Sequence, residues 1–246
     1  MSSREELVFI AKLAEQGERY DDMLDCMKQV ATMGHLSVEE RNLFSVAWKN
    51  VTGARRAALR IVTSIQHKAS ARNDEARNAN TAAYMDKLNR ELQSICDECL
   101  ALLRDHCLPR AEDAHSRVFF HKMRADYLRY KCEFLARDEE FSVARDEAEM
   151  NYATAFETSV AELPATDPIR LGLMLNYSVY LYEIREDAPR ALEVAKNAFD
   201  QAIQGLDTIP ELIYKDATLI MQLLRDNVTL WQHGGLNDFE DDVEMA

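Results

Sequence analysis

The sequence predicts an all-α protein. Three observations lead there. Seven glycines and five prolines among 246 residues are about 5% of the chain, against roughly 12% for these two residues in average proteins. Sandwiches and open α/β sheets need many glycine-dependent turns, which this composition does not supply. No G-x-G-x-x-G or G-x-x-x-x-G-K-[ST] run occurs, and the only adjacent glycines are Gly234 and Gly235. Phosphate-cradling loops are therefore excluded. Finally, apolar residues recur at three- and four-residue spacing through long stretches, and the breakers fall between them, as amphipathic helices require.

Taken in order, the first helix spans 3–16 and closes at Gly17, and the second spans 19–32 with Gly34 just beyond, because glycine relieves the helix C-terminus. The third, 38–72, is opened by Ser37-Val38-Glu39-Glu40, a capping box. Helices over 79–106 and 112–137 are separated by Pro109, and 140–162 ends before Pro164. Pro168 and Pro189 lie in the first turns of 167–184 and 188–205, and Pro210 opens 210–232, where proline is tolerated. Short connections predict antiparallel neighbours. Residues 188–205 look like a tetratricopeptide helix, but W-x-x-L-G-x-x-Y does not recur, so a repeat solenoid is disfavoured. No composition break marks a linker, so residues 1–233 read as a single domain and 234–246 as an acidic, disordered tail.

The chain carries 43 acidic and 29 basic residues, a net charge of −14. That balance argues against nucleic acid as the main partner, since phosphate backbones call for a basic face. Residues 41–72 reverse it locally, with Arg41, Lys49, Arg55, Arg56, Arg60, Lys68 and Arg72 and no acidic residue. No apolar run reaches the roughly 20 residues of a membrane span, and the start, Met1–Lys12, is already amphipathic rather than a leader. Cytosolic or nuclear residence is expected, with the odd set Cys26, Cys96, Cys99, Cys107 and Cys132 as reduced thiols.

Catalytic signatures are missing. Glu112 and His115 form one E-x-x-H where a di-iron bundle needs two, and Cys96/Cys99 form a C-x-x-C with no second pair, which reads as buried thiols rather than zinc ligands. Neither G-x-S-x-G nor H-E-x-x-H occurs. No enzyme activity, metal or cofactor is expected.

The basic stretch carries more information. Lys49, Gly53, Arg56 and Arg60 share one helical face, leaving the backbone bare between cations. Lys122 and Arg129 make a second stripe, with Asp126 between them placed to brace an arginine of the first and Tyr130 adjacent. Each stripe alone is equally a solvated basic face. Facing each other, the two would make a pocket suited to a phosphate monoester. In 167–184, Gly172, Leu175, Asn176, Val179 and Glu183 run along one stripe; in 210–232, Asn227 interrupts a mainly apolar stripe containing Leu219, Ile220, Leu223 and Trp231. An asparagine pairs well with an extended backbone, and is as readily a satisfied core residue.

The segments RNLFSVAWKNVTGARRAALR (41–60) and YKDATLIMQLLRDNVTLW (214–231) resemble the two signature segments of the 14-3-3 proteins. ELVFIAKLAEQGERYDDM (6–23) and PIRLGLMLNYSVYLYEI (168–184) are similar to that family as well. The resemblance implies nine antiparallel helices per protomer forming a concave groove, a cup-shaped homodimer or heterodimer with a paralogue, and an adaptor binding phosphoserine or phosphothreonine segments of client proteins. By position it implies Lys49, Arg56, Arg129 and Tyr130 as phosphate ligands and Arg60, Lys122 and Asp126 as supporting charges. It implies Asn176, Asn227, Glu183 and Trp231 as contacts to the ligand backbone and its surroundings, with Gly172, Leu175, Val179, Leu219, Ile220 and Leu223 as the apolar wall. For the dimer it implies ion pairs Arg19–Glu91 and Asp22–Lys87 between subunits and apolar contacts from Leu13, Ala58, Val62 and Tyr84. Departures from the family pattern are Leu59 for tryptophan, Trp48 for tyrosine, Phe44 for leucine and Leu128 for tyrosine; Ala57-Ala58 replaces a serine pair, removing a phosphorylation point at the seam. The acidic tail reads either as a solvated end or as a transient occupant of the basic groove.

Overall fold

A computed structural model describes residues 3–71 and 75–233. Among them lie nine α-helices and no strand: α1 (Arg4–Gln16), α2 (Tyr20–Met33), α3 (Val38–Ala71), α4 (Glu75–Leu102), α5 (Ala114–Phe134), α6 (Glu139–Glu162), α7 (Pro168–Glu183), α8 (Ala188–Gly205) and α9 (Glu211–Gln232). Arg72 of the basic stretch and the tail from 234 lie outside the described residues.

The helix starts follow local chemistry. Ser37 and Glu40 cap α3 reciprocally, the Ser37 amide donating to Glu40 Oε2 at 2.8 Å and the Glu40 amide to Ser37 Oγ at 3.3 Å. Asp167 caps α7 through the amides of Ile169 and Arg170, and Asp187 caps α8 through that of Arg190. Gly34 takes φ 157°, ψ −164° after α2, a conformation that side chains rarely adopt.

Two boundaries differ from expectation. The helix expected over 79–106 begins at Glu75 and gives way at Leu103 to a π turn over Leu103–Cys107 and a 3-10 turn over Leu108–Arg110. Pro109 has no amide hydrogen to continue the α pattern, and the chain bonds instead from the Leu108 amide to Leu103 O. The helix expected to reach 137 stops at Phe134, because Asp138 Oδ1 accepts from the amides of Glu140 and Phe141 and starts α6.

The chain divides into two compact units, Met1–Ala111 with Glu133–Phe141, and Glu112–Cys132 with Ser142–Ala246. In the first, α1 packs on α2, α2 on α3 and α3 on α4. Its core is built from Met23, Met27, Phe44, Trp48, Leu92 and Leu103, all fully buried. Phe44 meets Trp48 edge-on at 6.0 Å. Both departures from the family pattern are thus core residues, and Leu59 is only half-buried. In the second unit, α7, α8 and α9 pack mutually around Leu171, Ala195, Ala202, Ala217, Met221 and Leu224. Tyr152, Tyr177 and Tyr180 stack beside one another with centroids 5.2–6.3 Å apart.

The cysteines are free and buried. Burial pushes the Cys99 thiol well above its ordinary range and Cys107 up to about 12, so neither supplies a thiolate at neutral pH. The lone E-x-x-H resolves into structure too: His115 Nε2 lies 2.9 Å from Asp167 Oδ2, at the start of α7.

α1 is tied to α3 by Arg4, whose Nε and Nη2 donate to Glu40 at 2.6 and 2.8 Å. The Arg4 hydrogen bond, with the Ser37 bonds behind it, outweighs burial and holds the Glu40 carboxyl down to about 2. An unfolded glutamate titrates near 4.3. The stabilisation is therefore fully present above about pH 4.5 and lost as pH falls towards 2. Glu40→Gln is expected to cost roughly 1–3 kcal/mol at pH 7, with part of the ideal linkage energy discounted because Arg4 remains partly exposed. The deficit should shrink to near zero by about pH 2 in urea unfolding curves of the two chains.

Candidate functional site

The first cationic group stands on α3. Lys49 and Arg60 are exposed, and a Cβ added to Gly53 would meet nothing within 4 Å. The backbone face between the cations is therefore open. Arg56 is held by Glu133, its Nε and Nη2 donating at 2.8 and 2.6 Å to the two carboxylate oxygens. This fork-on-carboxylate geometry fixes a guanidinium plane better than a single contact does. Within this unit the carboxylate that braces Arg56 is that of Glu133. Glu133 went unnoticed in sequence, and its one signal was its position a turn beyond Arg129.

The second group, in the other unit, is organised around Asp126, which is only 6% exposed. Oδ1 accepts from the Tyr152 hydroxyl at 2.5 Å and from Asn176 Nδ2 at 2.9 Å. Oδ2 accepts from Lys122 Nζ and Asn176 Nδ2, both at 2.9 Å. Arg129, 5% exposed, approaches Oδ1 to 3.5 Å and donates from Nε to the Tyr152 hydroxyl at 3.3 Å. Tyr152 therefore relays the arginine to the carboxylate. Burial works against the Asp126 charge, yet Lys122, Arg129 and the Tyr152 hydrogen bond hold its carboxyl below the usual range. Burial likewise opposes the Arg129 charge, and Tyr152 and Asp126 outweigh it. The Tyr130 ring lies 4.7 Å from the Arg129 guanidinium carbon, adding a cation–π contact.

Asn176 is half-buried and bonded within the chain through its amide nitrogen. Its nitrogen is turned onto Asp126, which leaves the carbonyl oxygen as the group with acceptor capacity. Asn227 is half-buried on α9 and Glu183 exposed at the end of α7. Trp231 stacks on Tyr182 with centroids 4.7 Å apart and planes 11° off parallel. A Cβ on Gly172 would lie 3.9 Å from Lys122 Cε, so α7 passes close to the Lys122 stem.

Beside this polar cluster the second unit presents apolar surface. Leu219 and Leu223 are 62% and 44% exposed, and Val179 is half-buried. Leu175, Ile220 and Trp231 are also partly buried, packing against the core of α7, α8 and α9. Exposed leucines in the unit that also carries the charge cluster give it an amphipathic surface. Tyr152, the organising hydroxyl, carried no sequence signal.

The expected seam residues lie in the first unit. Leu13 and Tyr84 are 52% and 49% exposed, while Ala58 and Val62 are half-buried. Within the chain Arg19 pairs with Asp22, and Lys87 lies 3.9 Å from Glu91. Each expected inter-subunit partner thus has an opposite charge nearby in its own chain, and an exchange between subunits would conserve the number of pairs.

Nearly the whole chain is similar to one family of known proteins. The family model described as 14-3-3 protein matches residues 10–232. The 14-3-3-like protein GF14-F of Oryza sativa subsp. japonica is 50% identical over 248 residues, covering 100% of this chain and 95% of that protein. The 14-3-3 protein homolog of Candida albicans is 52% identical over 231 residues, with 94% and 87% covered. The 14-3-3 protein of Eimeria tenella is 51% identical over 241 residues, with 93% and 87% covered.

Removing one member of a buried charge pair strands the other in a medium that solvates it poorly. Asp126→Ala is accordingly expected to destabilise the chain by about 3 kcal/mol or more, whereas Tyr152→Phe, which keeps both charges, should cost only about 1–2 kcal/mol. Denaturant unfolding of the two variants beside the parent checks the order; equal losses would show that the hydroxyl and not the charge holds Arg129.

Proposed function

The chain belongs to the 14-3-3 family, and on that premise we propose that Lys49, Arg56, Arg129 and Tyr130 bind the phosphate of a client segment, with Arg60, Lys122 and Asp126 in support. The protein is an adaptor rather than an enzyme: it binds phosphorylated client proteins and works as a dimer. Residues 1–233 act as the binding domain, Asn176 and Asn227 hold the extended ligand backbone, and Glu183 and Trp231 contact its outer part. Gly172, Leu175, Val179, Leu219, Ile220 and Leu223 form the apolar wall. Among the described residues no helix is long and apolar enough to cross a membrane; we assign the chain to the cytosol or nucleus on its buried, reduced thiols.

The observation that carries the site assignment is Arg129, a buried guanidinium kept charged by Asp126 and Tyr152. Such a group meets an anion without first being ordered, so little entropy is lost on binding. Charge-assisted bonds to phosphate contribute roughly 1.5–3 kcal/mol each. Losing two of them on dephosphorylation weakens binding by about a hundredfold or more. The net charge of −14 repels an anionic client at long range, but repulsion is screened beyond about 8 Å at physiological salt. At contact the local cations dominate. Two sites in one dimer also make a second phosphosite on the same client an intramolecular partner, which raises affinity through effective concentration.

Lys49→Glu exchanges an exposed cation for an anion, and is expected to weaken phosphopeptide binding by at least about a hundredfold without changing the melting temperature. Calorimetric titration of one phosphopeptide and its dephosphorylated twin reads this directly. Equal affinity for the twins, or an unchanged affinity in the variant, would remove the assignment. At the seam, Leu13→Asp puts a charge where an apolar contact is proposed; sedimentation at low micromolar concentration should then return the mass of a single chain.

A further inference from the structure

The second unit carries a cavity away from the residues assigned to the client. It has a volume of about 460 Å³ and is enclosed by α6, the turn at Ala165, α7 and α8. α7 contributes Arg170, Leu171, Met174 and Tyr177 to it. At about 100° per residue that stripe lies roughly opposite the stripe of Gly172, Leu175, Asn176, Val179 and Glu183. The cavity therefore occupies the other side of the helix and is no extension of the client site.

Its walls are mainly apolar, with Phe156, Val160, Leu171, Met174 and Val194 among the residues lining them. Size and lining are those of sites for drug-sized molecules. The polar groups are few and unequal. Arg190 is already neutralised, donating to Glu149 Oε1 at 2.8 Å and to the Tyr177 hydroxyl at 2.8 Å. Arg170 is half-buried and makes no ion pair among the described residues; its Nη1 donates to Leu163 O and its Nη2 to Gln201 Oε1, both at 2.8 Å. Both acceptors are neutral. A guanidinium has five N–H groups, and these two bonds use two of them on a cation that lines the cavity. Burial depresses the basicity of Arg170, against the influence of the Asp167 charge, as expected of a cation short of counter-charge. Glu157 and Glu193, both exposed, also line the cavity. Their negative charge disfavours a polyanion such as a nucleotide, and leaves room for a single negative charge beside Arg170.

We propose that this cavity is a second ligand site, which takes a small amphipathic monocarboxylate with its apolar body against Phe156, Met174 and Val194 and its carboxylate on Arg170. The guanidinium fork matches a carboxylate in plane and can bind it through two parallel hydrogen bonds. A ligand there touches α6, α7 and α8 together without competing for the phosphate cations.

The test is calorimetric titration of the full-length protein with 1-naphthylacetate, in the presence of a saturating phosphopeptide, beside the neutral 1-naphthylacetamide. Saturable binding of one carboxylate per chain is expected, about tenfold or more weaker for the amide and for Arg170→Gln. Filling the cavity by Val194→Phe, or its mouth by Asn197→Trp at an exposed position, should abolish binding; the second variant serves if the first does not fold. Phosphopeptide affinity in Arg170→Gln should equal the parent's, so failure here is separable from failure of the client site. Absence of saturable heat up to millimolar carboxylate would overturn the proposal. So would binding that survives the filled variants, equal binding of the amide, or displacement by phosphopeptide.

Discussion

A carboxylate taken out of water at Asp126 sets the terms for the polar interior of the second unit. Such a charge persists only where hydrogen bonds and opposite charge replace its hydration. Here Lys122, Arg129, Tyr152 and Asn176 do so from three helices, α5, α6 and α7. The consequence is mutual. Each partner that stabilises Asp126 is itself held in one rotamer, and Arg129 in particular is presented as a fixed cation. Stability and recognition draw on the same contacts, which is why the cluster is worth its desolvation cost in a protein that reads charge.

α7 illustrates how one short helix serves two sides. Its Asn176 stripe lies against the Asp126 cluster, while Leu171 belongs to the packing with α8 and α9. Leu171, Leu173, Met174, Tyr177, Tyr180 and Leu181 are all buried, whereas Gly172, Leu175, Asn176 and Val179 are only partly so. The helix is therefore packed on one side and partly open on the other.

In the first unit the departures from the family pattern redistribute volume rather than remove it. Trp48 and Phe44 fill the interior of α3 and meet edge to face, while Leu59 sits further along the helix where burial is partial. Lys28 lies over the Trp48 ring at 5.4 Å and pairs with Glu98 at 2.6 Å, so the larger indole acquires its own cation and the cation its own anion. Cores accept such exchanges when total volume and patterning are preserved. The cationic face of α3, at Lys49, Gly53 and Arg56, lies about a third of a turn around the helix from Phe44 and Trp48 and keeps its residue types.

Helix number, most boundaries, the cap at Ser37 and the cationic stripes were legible in the amino-acid order, because each depends on residues within one or two turns of one another. The misjudged boundaries were those where one proline or aspartate outcompeted a continuing apolar pattern, at Pro109 and Asp138. The positions proposed to bind phosphate came from resemblance and not from spacing, since a basic stripe is equally a solvated face. What tertiary structure alone decided was who partners whom. Glu133 reaches Arg56 across 77 residues, Tyr152 reaches Asp126 across 26, and Asn176 reaches Asp126 across 50. Periodicity states which face of a helix a side chain occupies, but the end of a long side chain goes where packing between distant segments leaves an unsatisfied charge, and that is known only once the helices are assembled.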